Sequence, residues 1–245
     1  MTSPASLRFA SFVSGGGTTM REILRAVREG LADAHPALVL ASESGIGAIE
    51  KAQESGMVAP DDIVVLRRGD FTTREAFGEA ILAACRDRGV DFILQNGWIP
   101  LTPTNVIEAY DGRIINQHPA PLDPGYLDFG GKGMRGRAAI AATLYFAQTL
   151  TRPFFAEATA HLVADELDKG DLLKTASIAI DPNETPEELQ ARLLPVEHCL
   201  QIELLADIAR GAHAAYKRTH RLILPEEEDL LAEAKEKAIA MYPRG

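Results

Sequence analysis

Short apolar runs alternate with stretches of helical periodicity through the first half of the chain, and this alternation constrains the fold more than any single motif. Residues 7–13 form one such run, followed by Ser14-Gly15-Gly16-Gly17-Thr18-Thr19 and then by Met20, Ile23, Leu24, Val27 and Leu31 at helical spacing. The pattern predicts strand, glycine turn, helix. The same rhythm predicts strands over 37–41, 62–66, 91–95 and 113–116, with helices over 46–55, 72–88 and 103–110 between them. Thr72 with Glu75 fits a capping box at the start of the third helix, whose buried face would carry Phe77, Ile81 and Cys85.

Downstream, residues 121–136 are rich in Gly and Pro and predict a loop long enough to act as a lid or binding segment. A helix is expected over 137–148, then strands over 157–163 and 172–180 joined by an acidic turn. Thr185-Pro186-Glu187-Glu188 forms a second capping box with proline at the first helical position. Its helix carries Leu189, Leu193, Val196 and Leu200, and Pro195 is expected to kink it. After Gly211 the composition shifts toward a charged helix reaching about Tyr242. These elements predict an α/β fold: a Rossmann-like open, mostly parallel sheet with helices on both faces. Residues 1–211 form the expected principal domain, and 212–245 a C-terminal helical appendage.

The bulk properties exclude several classes. A formal net charge of −10 leaves no general basic face for nucleic acid. No apolar run reaches the roughly 18 residues of a membrane span, and residues 1–8 lack the basic start and apolar run of a secretion signal. Cys85 and Cys199 lie among apolar neighbours at helical spacing, which predicts buried, reduced thiols and a cytoplasmic protein. His35, His198, His213 and His220 show no ligand spacing with one another or with the cysteines, so no metal is expected.

Three places could carry chemistry. The glycine turn offers backbone amides at a helix N-terminus, an anion site for phosphate, although a plain tight turn reads equally well. It is no Walker A loop, because no lysine follows the glycines, and Met20 stands where a dinucleotide fingerprint has its third glycine. Asn116 and His118 end a predicted parallel strand, the edge at which open α/β sheets bind ligands. A carboxamide there can donate to a developing oxyanion and a histidine can carry a proton, while the bland alternative is a polar pair capping the turn at Pro119. Asp168 gains interest only as a partner of His118, and the neighbouring acids read as solvated. His161 reads as a satisfied sheet histidine. Lys132, Arg135 and Arg137 could clamp an anion or lie on a solvated loop.

Taken together, Ser14-Gly15-Gly16-Gly17-Thr18, Phe71-Thr72-Thr73-Arg74-Glu75-Ala76-Phe77, Asn116-Gln117-His118-Pro119 and Asp165-Glu166-Leu167-Asp168-Lys169-Gly170 resemble the phosphoribosylglycinamide formyltransferases of purine synthesis. The resemblance runs from about Arg8 to Ala206. It implies formyl transfer from 10-formyltetrahydrofolate, a co-substrate, to the amine of glycinamide ribonucleotide, without metal. It implies that Asn116, His118 and Asp168 are catalytic. Gly16, Gly17, Thr18 and Thr19 would hold the phosphate, Arg74 would lie near the ribonucleotide and Glu197 would bond the ribose. Trp98, Ile99, Leu101 and Thr102 would line the folate pocket together with Ala164 and Asp165. The partners implied are these small molecules, with a monomer or homodimer expected.

Two stretches depart from the family pattern. Arg135-Gly136-Arg137-Ala138-Ala139 replaces a histidine-bearing segment, and Pro100 replaces an arginine. Other readings are a formyltetrahydrofolate-dependent transferase or hydrolase with a different acceptor, and a nicotinamide-dependent oxidoreductase using Glu43 on ribose. The hydrolase would be expected to carry an additional N-terminal domain, for which residues 1–7 leave no room. A non-catalytic ribonucleotide- or folate-binding module is the third.

Overall fold

The structure, a computed structural model, describes residues 6–243 and 245; the first five, part of the stretch read for a secretion signal, lie outside the described residues. The strands are β1 (Leu7–Val13), β2 (Ala34–Ala41), β3 (Ile63–Val65), β4 (Phe92–Gln95), β5 (Ile114–His118), β6 (Phe155–Leu162) and β7 (Leu172–Ala179). The helices are α1 (Thr18–Arg28), α2 (Gly47–Ser55), α3 (Arg74–Arg86), α4 (Thr104–Ala109), α5 (Gly136–Thr149), α6 (Pro186–Ala209) and α7 (Glu228–Met241).

The strands form one sheet in the order β3-β2-β1-β4-β5-β6-β7. Parallel pairing joins β1 to β2 and to β4, β2 to β3, and β4 to β5, whereas β6 and β7 form an antiparallel pair. This is the expected α/β, Rossmann-like sheet. Its parallel part has the cause anticipated from the sequence: each strand is followed by a helical return, and strands covered on both faces need continuous apolar runs. In β1, Phe9, Ala10, Phe12 and Val13 are all fully buried. The strand order reverses beside β1, because β2 lies on one side of it and β4 on the other.

Packing groups the residues up to Asn116 with Gln201–His213, and residues 117–200 with those from Ala214 onward. The first unit holds β1 to β4 and α1 to α4. In the second, Phe129, Phe146 and Phe154 pack ring to ring with centroids 5.1 to 5.7 Å apart. Helix α7 contributes Leu231, Ala234 and Ala238 to the same core as Ala138, Ala141 and Ala142 of α5. Arg152 clamps the start of α7 with two 2.6 Å bonds to Glu227.

Several local expectations change. Thr73, not Thr72, caps α3, its hydroxyl accepting from the Ala76 amide at 3.0 Å. A cap must face the amide three residues on, and the residue there is alanine, so the reciprocal glutamate bond of a capping box cannot form. The box at Thr185 does form, with Glu188 N donating to Thr185 Oγ1 and Thr185 N donating to Glu188 Oε2. Pro195, where a kink was expected, lies inside α6 with helix assigned on both sides of it. Cys199 is exposed rather than buried. The stripe that α6 buries runs through Leu193, Glu197, Leu200 and Leu204, and Cys199 falls outside it. Residues 121–136 are anchored, with Phe129 and Met134 buried in the core.

Candidate active site

The switch in strand order places the loops after β1 and β4 at the carboxyl ends of neighbouring parallel strands, where open α/β sheets bind ligands. Ser14 ties them together: its amide donates to the Gly97 carbonyl at 3.1 Å, and its hydroxyl accepts from the Ile99 amide at 2.9 Å. Gly17 precedes α1 at φ 66°, and a Cβ there would come within 2.6 Å of Ala48 Cβ, so only glycine fits the turn. No side chain caps α1, and the amides of Thr18, Thr19 and Met20 precede its first intrahelical bond, from Arg21 N to the Gly17 carbonyl. Gly15 and Gly16 are exposed beside them.

On the β4 side, Arg74 donates to the Thr102 carbonyl at 3.2 Å, and Gln95 donates to the Thr102 hydroxyl at 2.6 Å. Trp98 lies between Phe12 and Phe77, with centroids 5.1 and 6.4 Å away. Ile99 and Leu101 are more than half exposed. Both amide atoms of Asn96 and the indole Nε1 of Trp98 are buried without a hydrogen-bond partner. Buried polar atoms of this kind are rare unless a ligand or water serves them.

The second constellation gathers around Asp168, at the turn between β6 and β7. Strand β5 continues two residues beyond the predicted end and carries Asn116 and His118 at the spacing from which side chains leave one face. His118 is buried, and its Nε2 lies 2.9 Å from the carbonyl of Phe129. A carbonyl only accepts, so Nε2 holds a proton and Nδ1 is the nitrogen that faces Asp168 Oδ2, 3.9 Å away. Asp168 also accepts from the Gly131 amide at 2.9 Å. It stands at φ 60°, the only non-glycine residue with positive φ among those described. This conformation costs about 1 kcal/mol or more for a side-chain-bearing residue, least for Asp and Asn, and such positions cluster at functional sites. Gly130 allows the close approach, since a Cβ on it would meet Asp168 Cβ at 2.8 Å.

His161 belongs to this cluster as well, a placement the sequence reading missed. Its Nε2 lies 3.6 Å from Asp168 Oδ1, and its Nδ1 donates to the Leu162 carbonyl at 2.8 Å. Burial pushes its pKa down to about 4 against the pull of Asp168, so His161 stays neutral near pH 7. The usable signal was period-two alternation: Glu157, Thr159 and His161 form one polar, buried face of β6.

The other expected residues are distributed as follows. Glu197 is buried on α6, and burial lifts its carboxyl to about 7, only weakly opposed by Gln117, whose Nε2 makes no well-formed hydrogen bond. Ala164 is half-buried and Asp165 exposed in the β6–β7 turn. Arg137 is engaged by Glu187 at 3.2 Å and by Gln190 at 3.1 Å, which withdraws it from the anion clamp considered for that loop. Lys132 and Arg135 are exposed. Among the described residues no cluster of three or more His, Cys, Asp or Glu could hold a metal, and no helix is long and apolar enough to cross a membrane.

Fold and site together define a doubly wound α/β protein with a switch in strand order at β1 and a buried histidine–carboxylate pair. The chain belongs to the formyl transferase family, whose model matches residues 7–205. It is 31% identical over 206 residues to the chloroplastic phosphoribosylglycinamide formyltransferase of Arabidopsis thaliana, a match covering 84% of this chain and 66% of that protein. The chain thus spans just under two thirds of that relative's length. It is similar to the crystal structure of glycinamide ribonucleotide transformylase 1 from Symbiobacterium toebii, with TM-score 0.73, 25% identity and coverage of 85% of this chain and 90% of the other. For phosphoribosylglycinamide formyltransferase from Brucella melitensis the TM-score is 0.70 at 29% identity, with coverage of 86% and 100%.

Proposed function

We propose that this protein transfers a formyl group from 10-formyltetrahydrofolate to the amine of glycinamide ribonucleotide, a step of purine synthesis in the cytoplasm. The observation that carries the reading is the buried His118–Asp168 pair at the end of β5, with Asn116 two positions before the histidine. Membership of the formyl transferase family and the names of the relatives support the same chemistry.

Bound 10-formyltetrahydrofolate supplies an activated formyl carbon. The residues proposed to hold it are Trp98, Ile99, Leu101 and Thr102, with Ala164 and Asp165 from the β6–β7 turn. The exposed apolar side chains and the unpartnered Asn96 and Trp98 atoms suit a flat ligand with an apolar face and polar edges. Gly16, Gly17, Thr18 and Thr19 are proposed to hold the ribonucleotide phosphate on the first-turn amides of α1, where the helix dipole favours an anion. Arg74 and Glu197 are assigned to the same ligand, the first beside its charge and the second on its ribose.

In the reaction, the Asn116 carboxamide donates a hydrogen bond to the negative charge that grows on the formyl oxygen. His118, its Nε2 fixed by Phe129, presents a proton at Nδ1 to the same charge. Asp168 balances the imidazolium and relays, through water, the proton shed by the amine that gains the formyl group to the nitrogen that loses it. One C–N bond forms, one breaks, and no redox step or metal is required.

Purified protein given both substrates is expected to yield formylated glycinamide ribonucleotide. Folate turnover that is equally fast without the ribonucleotide would instead identify a hydrolase, and no turnover of either would overturn the reading. Arg74→Ala is expected to raise KM for the ribonucleotide by about 10-fold with folate affinity unchanged, as for loss of one charge-assisted contact. An unchanged ribonucleotide KM removes Arg74 from the site.

A further inference from the structure

Helix α7 lies beyond the residues that the family model matches, yet one of its side chains reaches the loop that frames the buried histidine and carboxylate. Lys235 Nζ donates to the carbonyl of Asp128 at 3.0 Å and to that of Gly130 at 2.8 Å. The carbonyl between them, on Phe129, is the one that fixes His118 Nε2. The next amide, on Gly131, is the one that donates to Asp168. Four successive residues are therefore divided between one ammonium group and the two members of the pair.

The loop is braced from its other side by the Asp128 carboxylate. This group accepts from the amides of Asp123 at 3.0 Å and Gly130 at 2.9 Å, and pairs with Lys169 at 3.1 Å. We propose that Lys235 is a positioning residue for the His118–Asp168 pair: by holding the carbonyls of Asp128 and Gly130 it sets the orientation of the Phe129 carbonyl and the Gly131 amide that grip the imidazole and the carboxylate.

Lys235 is partly buried, and burial lowers its pKa against the opposing pull of Asp128 and Asp168, so its charge is kept there at a cost that a solvated lysine would avoid. Two carbonyls left without a donor would turn toward other partners, because an unpaired polar group in a protein interior is expensive. Any such rotation is transmitted to Phe129 and Gly131 within one residue. A shift near 1 Å at reacting groups is enough to cost roughly 100-fold in rate.

The catalytic part of this inference rests on the proposed formyl transfer, whereas its structural part can be read without any assay. The ring nitrogens of His118 in the intact protein report on the Phe129 bond directly by 15N NMR. Lys235→Met keeps the apolar stem and removes the donors. In this variant the His118 Nε2–H signal is expected to shift and exchange faster with water. kcat is expected to fall by roughly 10- to 100-fold with KM for both substrates within about 2-fold, and Lys235→Arg should restore most of the rate. Should the methionine variant fail to fold, Lys235→Gln, which keeps one donor group, is expected to give the same changes in smaller measure. Unchanged ring signals together with unchanged kcat, or a loss confined to KM, overturns the proposal. If the wild-type protein transfers no formyl group, the functional reading fails, and the ring signals alone decide the role of Lys235.

Discussion

Asp168→Asn and Asn116→Ala are each expected to lower kcat by about 100-fold or more while leaving ribonucleotide and folate binding measurable. The asparagine substitution at Asp168 is chosen on structural grounds. Position 168 has φ 60°, and Asn tolerates the left-handed region as well as Asp does. Its side-chain oxygen can still accept from Gly131, so the turn should fold. What disappears is the negative charge beside His118 Nδ1, and with it the compensation for an imidazolium in a buried site. Asn116→Ala removes a different function, the neutral donor to the formyl oxygen, without touching that charge. Steady-state rates and calorimetric titration with each substrate check this. Near-normal kcat in either variant sinks the assignment of that residue.

The legibility of the fold varied with how local each determinant was. The β1–glycine–α1 unit could be read from sequence because its signals lie within neighbouring residues: an apolar run buried on both faces, a turn that only glycine satisfies, and helical spacing from Met20 onward. His118 was legible for the same reason, as a polar residue closing an apolar strand. The Thr72 cap failed by one residue because Thr72 and Thr73 are equally competent by type, and only the direction of the Ala76 amide chooses between them. Cys199 was misplaced for a different reason. Hydrophobicity placed the thiol inside, while the actual stripe on α6 follows Leu193, Leu200 and Leu204 and carries Glu197 with it. His161 was visible as a member of a period-two polar face but not as a neighbour of Asp168, since the β6–β7 connection brings the two together. Lys235 left no trace at all. It acts on carbonyls 105 and 107 residues away, and backbone acceptors have no side-chain signature.

Glu197 is expected to give a large, pH-dependent stability effect from a conservative substitution. Its carboxyl is raised from 4.5 to about 7, with burial as the principal cause and Gln117 opposing it weakly. Below pH 4 the group is protonated in both folded and unfolded chains, and it contributes no pH dependence. Between the unfolded value near 4.5 and the folded value near 7, the unfolded chain releases its proton while the folded one holds it, so stability falls as pH rises. Above pH 7 the penalty is complete, about 3 kcal/mol at most. Glu197→Gln preserves shape and hydrogen-bonding capacity but cannot ionise. It is therefore expected to match the wild type at pH 4 and to exceed it by up to about 3 kcal/mol at pH 8, where urea denaturation can compare the two chains directly. Equal differences at both pH values would show that the carboxyl titrates normally. The same variant bears on function: if Glu197 bonds the ribose as a carboxylate, the gain in stability should be accompanied by a higher ribonucleotide KM. A buried acid that destabilises its own fold at neutral pH is explicable when a ligand hydroxyl supplies the hydrogen bond that Gln117 does not.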